Sequence, residues 1–255
     1  MVQSKVQPYL YEIVSTKTLH PSLNNKNLFR IFMFKKFQFT RSEYKQISTP
    51  SSESDLFKVQ VKTLLPTQMC IGLAEVINRK KDFLIDNKRE ILEYLKTKPV
   101  PLVSNGNGNF WMLDRHHRLR ALLEADEHAE AYGYIVTEVK TNQVSHMLDF
   151  LDEQGWLYLY NSRGLGPHPT KYLKENLLEL EDDPYRSLVW KLKQEGIIKA
   201  KPLIPYHEFR WAAWLRKRPL PPFNSRNLTP ALTKARKFTT SQAASSLAGW
   251  TGDKI

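Results

Sequence analysis

Between Val100 and Ala125 the chain changes its hydrophobic period twice, and this stretch limits the possible folds more than any other. Val100-Pro101-Leu102-Val103 is apolar, and Pro99 and Pro101 bias their predecessors toward extended backbone. The run stops at Ser104-Asn105-Gly106-Asn107-Gly108-Asn109, residues that tolerate positive φ and favour a tight turn. Phe110-Trp111-Met112-Leu113 then reads as a buried strand, and after Asp114 the residues Leu119, Leu122, Leu123 and Ala125 share one helical face. The pattern predicts a hairpin that passes directly into a helix.

The flanks extend this reading. Phe57-Lys58-Val59-Gln60-Val61 alternates as a half-buried strand does, and Tyr132 to Val139 supplies a further strand. Met69 to Leu84 reads as a helix, Lys88 to Lys96 as a second. Beyond residue 142 the helical patterns are Gln143–Gln154, Thr170–Leu178, Asp183–Gln194 and Pro205–Lys217, the third opened by an Asp183 cap followed by Pro184. Strands concentrated early and helices late give an α+β class: a small mixed sheet with helices, then a mainly helical C-terminal half. The expected organisation is a basic extension over 1–54, an α+β domain over 55–142, a helical portion packed on it over 143–220, and a basic, Ser/Thr/Pro-rich tail over 221–255 with two short helical patches. Ser48 to Ser54 reads as a linker, and the apolar cluster Leu28 to Phe34 as either strand or amphipathic helix.

Charge is placed unevenly. Of a net +12, residues 1–50 carry eight Lys/Arg against two acids and residues 215–255 eight against one, so the middle is nearly neutral. Basic ends on a neutral core fit contact with nucleic acid or an anionic surface, or simply solvated tails. No run approaches the roughly 18 apolar residues of a membrane span. The start lacks the apolar core of a secretory signal, so the expectation is a cytoplasmic protein, with an organelle transit peptide as the alternative for the basic extension. The single cysteine, Cys70, excludes an intramolecular disulfide and reads as a small buried hydrophobe.

Chemistry concentrates at Asp114-Arg115-His116-His117-Arg118, with Arg120 one turn on. A helix start exposes amides without intrahelical acceptors, and its dipole favours an anion. Five cationic or donor side chains there would repel the dipole unless an anion sat against them. Asp114 fits either a helix cap or a ligand to a divalent ion that accompanies phosphates. Adjacent histidines point roughly 100° apart on a helix, so one is expected to be buried while the other meets the phosphate. Arg163, His168, Lys171 and Arg186 are candidates for a second basic wall, with an internal ion pair the competing reading for Arg186. Trp156 to Tyr160 and Trp211 to Trp214 read as core aromatics.

Asp114-Arg115-His116-His117-Arg118-Leu119-Arg120-Ala121 resembles the Asp-Gly-His-His-Arg box of ParB-like proteins, including the free-serine kinases, and is similar to the corresponding box of the sulfiredoxins. Val59 to Gln68 with Gly72 and Glu75-Val76, then Asp182 to Leu188, then Glu208-Phe209-Arg210-Trp211-Ala212 with Arg216, resemble the ParB-like nuclease family over about residues 57–218. The resemblance implies a ParB/sulfiredoxin-like fold that binds a nucleoside di- or triphosphate (ATP, ADP or CTP), with Mg²⁺, on the helix after the histidine box. It matches His117 and Arg118 to phosphate contacts and Asp114 to the acidic position of the kinases, and Glu75 falls in the region of their essential glutamate. Arg115 replaces the usual glycine, which argues against a left-handed turn. His116 replaces the sulfiredoxin cysteine, which excludes thiol repair chemistry at that position.

Three functions follow as expectations. The first is a nucleotide-dependent phosphotransferase or phosphohydrolase with Asp114, His116, His117 and Glu75 in catalysis, Arg115, His117, Arg118 and Arg120 on phosphate, and Asp114 on the metal. The second is a DNA-associated ParB-like protein or nuclease, although no helix-turn-helix or carboxylate cluster is legible. The third is a non-enzymatic nucleotide-gated switch. The partner in the first and third is a nucleotide or phosphorylated small molecule; in the second it is nucleic acid, held by the basic termini.

Overall fold

The hairpin around Gly106 forms, and a five-stranded sheet is built on it. The computed structural model describes residues 45–201 and 205–252, all within one unit spanning 37–255. The expectations for residues 1–44, including the Leu28 to Phe34 cluster, lie outside the described residues. Strands β1 (Phe57–Gln60), β2 (Leu65–Pro66) and β3 (Cys70–Ile71) precede helices α1 (Leu73–Ile85) and α2 (Lys88–Lys96). Strands β4 (Val100–Ser104) and β5 (Phe110–Met112) lead into α3 (His116–Ala125), β6 (Glu130–Glu138) and α4 (Val144–Glu153). The remaining elements are β7 (Glu181–Asp182), α5 (Pro184–Gln194), α6 (His207–Arg216) and α7 (Thr229–Thr240).

The sheet runs β1-β6-β4-β5-β2, with β1/β6 and β4/β5 antiparallel and β4/β6 and β2/β5 parallel. This is the mixed sheet expected of an α+β chain. Every residue of β4 is buried, because both faces are covered. On one face Leu102 and Met112 pack with Val76, Phe83, Leu119 and Leu122 of α1 and α3. On the other, Val103, Trp111 and Leu113 pack with Met147, Leu151 and Trp156. The two-residue period of the strands thus feeds two cores from consecutive positions. A third core joins α5, α6 and α7 through Leu188, Leu192, Trp211, Leu215, Ala231 and Ala235. Each fully buried aliphatic or aromatic side chain contributes roughly 1.5–3 kcal/mol.

Local signals set the starts of α2 and α5. Asn87 accepts from the amides of Arg89 and Glu90 while Glu90 reaches back to the Asn87 amide, a reciprocal cap. Asp183 accepts from the amides of Tyr185 and Arg186 at 2.9 and 3.3 Å, and Pro184 follows it. Two expectations need correction. The stretch Thr170 to Leu178 forms only the short 3-10 turns Thr170–Tyr172 and Leu177–Glu179, with no α-helix between them. Lys45 and Ser48, at the edge of the stretch read as extension and linker, are tied to the fold: Trp156 Nε1 donates to the Lys45 carbonyl, and the Tyr134 hydroxyl to that of Ser48. In the basic tail α7 takes up one of the two expected helical patches, and its alanines are buried against α5 and α6.

The two halves meet at the start of α1. Strand β3 pairs in parallel with β7, Cys70 opposite Glu181 and Ile71 opposite Asp182. Gly72 follows, and a Cβ built there would lie 2.8 Å from the Ser187 amide nitrogen and 3.0 Å from the Arg186 carbonyl carbon, both backbone atoms that cannot swing aside. Glycine is therefore required by close approach. Gly72→Ala is expected to destabilise the protein by roughly 1–3 kcal/mol through overpacking. A urea midpoint equal to that of the wild type would contradict this contact.

Candidate functional site

The strand-to-helix turn opens onto a cavity of about 250 Å³ whose walls come from both halves of the chain. Asp114, Arg115, His116, His117 and Arg118 form one wall, Glu75 and Arg79 of α1 another. Arg186 and Lys193 of α5 and His207 and Glu208 of α6 close the far side, with Trp156, Tyr206 and Phe209 as an aromatic flank. Six lining cations (Arg79, Arg115, Arg118, Arg186, Lys193, Lys201) face three carboxylates (Glu75, Asp114, Glu208), an excess of three positive charges.

Arg115 adopts φ 75°, ψ 8° as the residue before α3. The left-handed turn therefore forms although glycine is absent, which corrects the expectation drawn from the Gly-to-Arg replacement. It also displaces Asp114 from the cap. Asp114 Oδ1 accepts the Arg115 amide at 2.7 Å, Oδ2 pairs with Arg115 Nη1 at 3.0 Å, and no side chain caps the first helical turn. The opening amides of α3 thus keep the donor capacity of an uncapped helix start at the cavity mouth.

The two histidines are spent differently from expectation. His116 Nε2 accepts the Thr67 amide at 3.1 Å, and His117 Nε2 accepts the Gly72 amide at 2.9 Å. Both rings are buried, so the division into one buried and one ligand-facing imidazole does not hold. A backbone N–H can only donate, so each neutral ring carries its proton on Nδ1. Burial, then the neighbouring His117 for His116 and Arg186 for His117, lowers both to about 3. Neither ring is therefore a general base at neutral pH. What they offer the cavity is a fixed neutral N–H each.

Glu75 is likewise not a free base. Its Oε1 accepts from Arg79 Nε and Nη2 at 3.0 and 2.8 Å, and its Oε2 from Arg186 Nη2 at 3.1 Å. Burial opposes its charge, but His117, Arg186 and Arg79 outweigh that and hold the carboxylate well below its usual range. Arg186 Nη2 also lies 3.4 Å from Glu208, which pairs with Lys193. Burial is again outweighed, here by Arg186 and Lys193, and Glu208 falls to about 2. Arg186 is indeed in an internal ion pair, yet with Glu75 and Glu208; Asp183 is bridged instead by Arg216 at 2.7 Å.

Three guanidiniums of the cavity wall retain unused donors, among them Arg115, whose Nε is buried without a hydrogen-bond partner. Arg118 Nε donates to the Tyr94 hydroxyl at 3.2 Å and its plane lies over that ring, while Nη1 is buried without a hydrogen-bond partner. Arg186 Nε and Nη1 are buried in the same condition. Burial, together with Arg79 and Arg115, disfavours the Arg118 charge and outweighs Tyr94. An anion in the cavity would relieve this. Arg120, by contrast, turns away from the site to Glu124 at 2.6 Å and the Leu177 carbonyl at 2.6 Å, and drops out of the phosphate-binding set. Arg163, His168 and Lys171 do not line the cavity either, so of the proposed second wall only Arg186 does. Cys70 is fully buried, and burial raises its thiol well above the ordinary range, in keeping with a packing role.

Sequence reasoning missed Arg79, Lys193, His207 and, as a site residue, Glu208. Arg79 was findable, since it stands four residues after Glu75 on a predicted helix. The others reach the cavity only through the packing of α5 and α6.

Two outcomes are expected. Arg115→Gly should raise stability by about 1 kcal/mol, because the left-handed region costs an L-residue that much, as read by chemical denaturation. For the imidazoles the folded pKa lies below the unfolded one. The unfolded chain therefore takes up protons first, and the stability present above pH 6.5 is lost as pH falls toward 3. Between pH 6.5 and 5 the loss should be on the order of 1–2 kcal/mol for each of His116 and His117, and the His117→Gln variant should show a shallower slope. Slopes that match in the two proteins would contradict the assignment.

No helix among the described residues is long and apolar enough to cross a membrane. No curated protein matches the chain. A solved structure, that of protein Atu1540 from Agrobacterium tumefaciens, is similar to it with a TM-score of 0.66 and 28% identity, covering 78% of this chain and 99% of that one. Residues 57–217 match the family described as "Putative ParB-like nuclease", a span that contains β1 through α6 and nearly every wall of the cavity. The chain belongs to this ParB-like family.

Proposed function

We propose that the protein binds a phosphate-bearing small molecule, of the nucleotide class, in the cavity at the start of α3. The observation that carries this is the set of buried guanidinium N–H groups of Arg118 and Arg186 that lack acceptors beside an uncapped helix N-terminus. Unsatisfied buried donors are rare and costly, more so on a charged group. Guanidinium forks and helix-start amides suit phosphate oxygens. The three-charge excess fits a di- or triphosphate such as ADP, ATP or CTP, and the aromatic flank of Trp156, Tyr206 and Phe209 offers a surface for a base. At about 250 Å³ the cavity is smaller than typical pockets of roughly 300–1,000 Å³, so it encloses the phosphates while the rest of a nucleotide lies at its mouth.

Asp114, an exposed carboxylate of the cavity wall, would be the protein's ligand to a Mg²⁺ that arrives with those phosphates, in exchange for its pairing with Arg115; such ions take one or two carboxylates and substrate oxygens. Among the described residues no three His, Cys, Asp or Glu side chains gather as a metal site, so the ligand's own oxygens would complete the shell. Phosphoryl transfer to a hydroxylated acceptor would draw on Arg118 and Arg186 for charge stabilisation, not on His116, His117 or Glu75 as bases. A second reading follows from family membership: the same cations would grip the phosphate backbone of a nucleic acid, with affinity falling steeply with salt.

A thermal-shift series with inorganic phosphate, pyrophosphate, ADP, ATP and CTP, with and without Mg²⁺, tests the proposal. At a hundred times Kd a ligand stabilises by about 2.7 kcal/mol, a rise of several degrees. Arg118→Ala should abolish that rise and leave the unliganded midpoint within about 2 °C, since among the described residues the Arg118 side chain makes one hydrogen bond, to Tyr94. A ligand response that persists in Arg118→Ala, or is absent from the wild type, overturns the reading.

A further inference from the structure

The cationic wall of the cavity presents protons, and His207 presents a lone pair. His207 opens α6, and its Nε2 lies 2.6 Å from the carbonyl oxygen of Ala248, which also accepts from Trp211 Nε1 at 2.9 Å. A carbonyl oxygen can only accept, so Nε2 holds the proton. Burial is the main influence on this ring and pulls its pKa below the ordinary value, which leaves the imidazole neutral at pH 7. Nδ1 is then a bare acceptor. It is buried and has no hydrogen-bond partner, on a side chain that lines the same cavity as Arg118 and Arg186. His116 and His117 hold the opposite tautomer, because their Nε2 atoms accept backbone amides. The cavity therefore carries two imidazoles fixed as donors and one fixed as an acceptor.

We infer that His207 is a specificity-determining residue of this pocket: its Nδ1 accepts a hydrogen bond from a hydroxyl of the ligand, so that the pocket selects phosphorylated hydroxy compounds over phosphates whose organic part is apolar. The inference rests on the phosphate reading above and adds to it a requirement on the rest of the ligand. The donor must be neutral, because an excess of cations surrounds it and repels an ammonium. A site with a buried acceptor rejects an analogue that lacks the matching donor, since binding the analogue leaves the acceptor unpaired and shut away from water.

Glycerol phosphate and propyl phosphate share their charge and nearly their size and differ in their hydroxyls. In calorimetric titrations of the full chain, glycerol phosphate should bind about tenfold tighter. His207→Phe removes the Nδ1 lone pair and supplies no other acceptor, while the Ala248 carbonyl keeps its bond from Trp211 Nε1, so the two affinities should converge while that for propyl phosphate stays within about twofold. Arg118→Ala should weaken both equally. Equal wild-type affinities, or a preference that survives in His207→Phe, would overturn the His207 assignment alone, as would failure to bind either compound in a wild type that binds ADP. Failure to bind ADP as well would instead sink the phosphate reading, and this inference with it. Nitrogen-15 spectra of the wild-type imidazoles read the tautomers without any variant. They should show Nε2–H for His207 and an Nδ1 resonance that moves with glycerol phosphate but not with propyl phosphate; an Nδ1–H tautomer would defeat the proposal.

Discussion

Three consecutive backbone amides at the start of α1 hold this molecule together. The Gly72 N–H is taken by His117 of α3 at 2.9 Å, the Leu73 N–H by Asp182 of β7 at 3.0 Å, and the Ala74 N–H by Ser187 of α5 at 3.1 Å. These are orphan donors of a helix N-terminus, which in an isolated helix would face water or a cap from its own sequence. Here they are satisfied from three other elements, two of them in the C-terminal half. Ser225 reinforces the junction by donating to Asp182 at 2.7 Å and bonding Ser187. The amide that His117 accepts belongs to the glycine whose missing side chain lets α5 approach. Helix junction and cavity wall are therefore one construction.

That junction explains why the twin histidines are poor proton carriers and good scaffolding. A ring that accepts a buried amide gives up that hydrogen bond when it protonates, and also charges itself where water is excluded. Both effects, with Arg186 beside His117, drive the pKa down. The anionic capacity of the pocket consequently rests on guanidiniums, whose charge does not titrate near neutrality. Chemistry that requires a base at neutral pH must find it elsewhere, and His207, with its proton held at Nε2 by Ala248, is the imidazole in the cavity wall with a bare nitrogen.

The run Arg79–Glu75–Arg186–Glu208–Lys193 crosses from α1 through α5 to α6. Buried ion pairs of this kind are seldom a net source of stability, because desolvation offsets most of the attraction. Removal of one member is nonetheless severe, since its partner is left charged and unpaired. The run alternates in sign and ends on cations at both sides, and so carries its surplus positive charge along the cavity. Geometry in the ligand pocket and geometry in the helix packing are thereby held by the same side chains.

How much of this was legible in the residues depends on the range of the interaction. The hairpin at Gly106, the Asp183-Pro184 helix start and the strand-to-helix passage at Asp114 to Arg118 are written in neighbouring residues, because turns, caps and hydrophobic periods act over a few positions. The stretch Thr170 to Leu178 misled, since an apolar spacing near that of a helix says nothing of whether tertiary packing will sustain one. Arg115 misled too: the surrounding structure imposed a left-handed turn on a residue that resists it. What only the folded chain decided was the state of each polar group. Whether an imidazole donates or accepts depends on which amide or carbonyl arrives from a distant segment, Thr67 and Gly72 for the twin histidines, Ala248 for His207. Composition and spacing set which side chains the site has; protonation and partnership are properties of contacts made across the sequence, and those exist only once the two halves have packed.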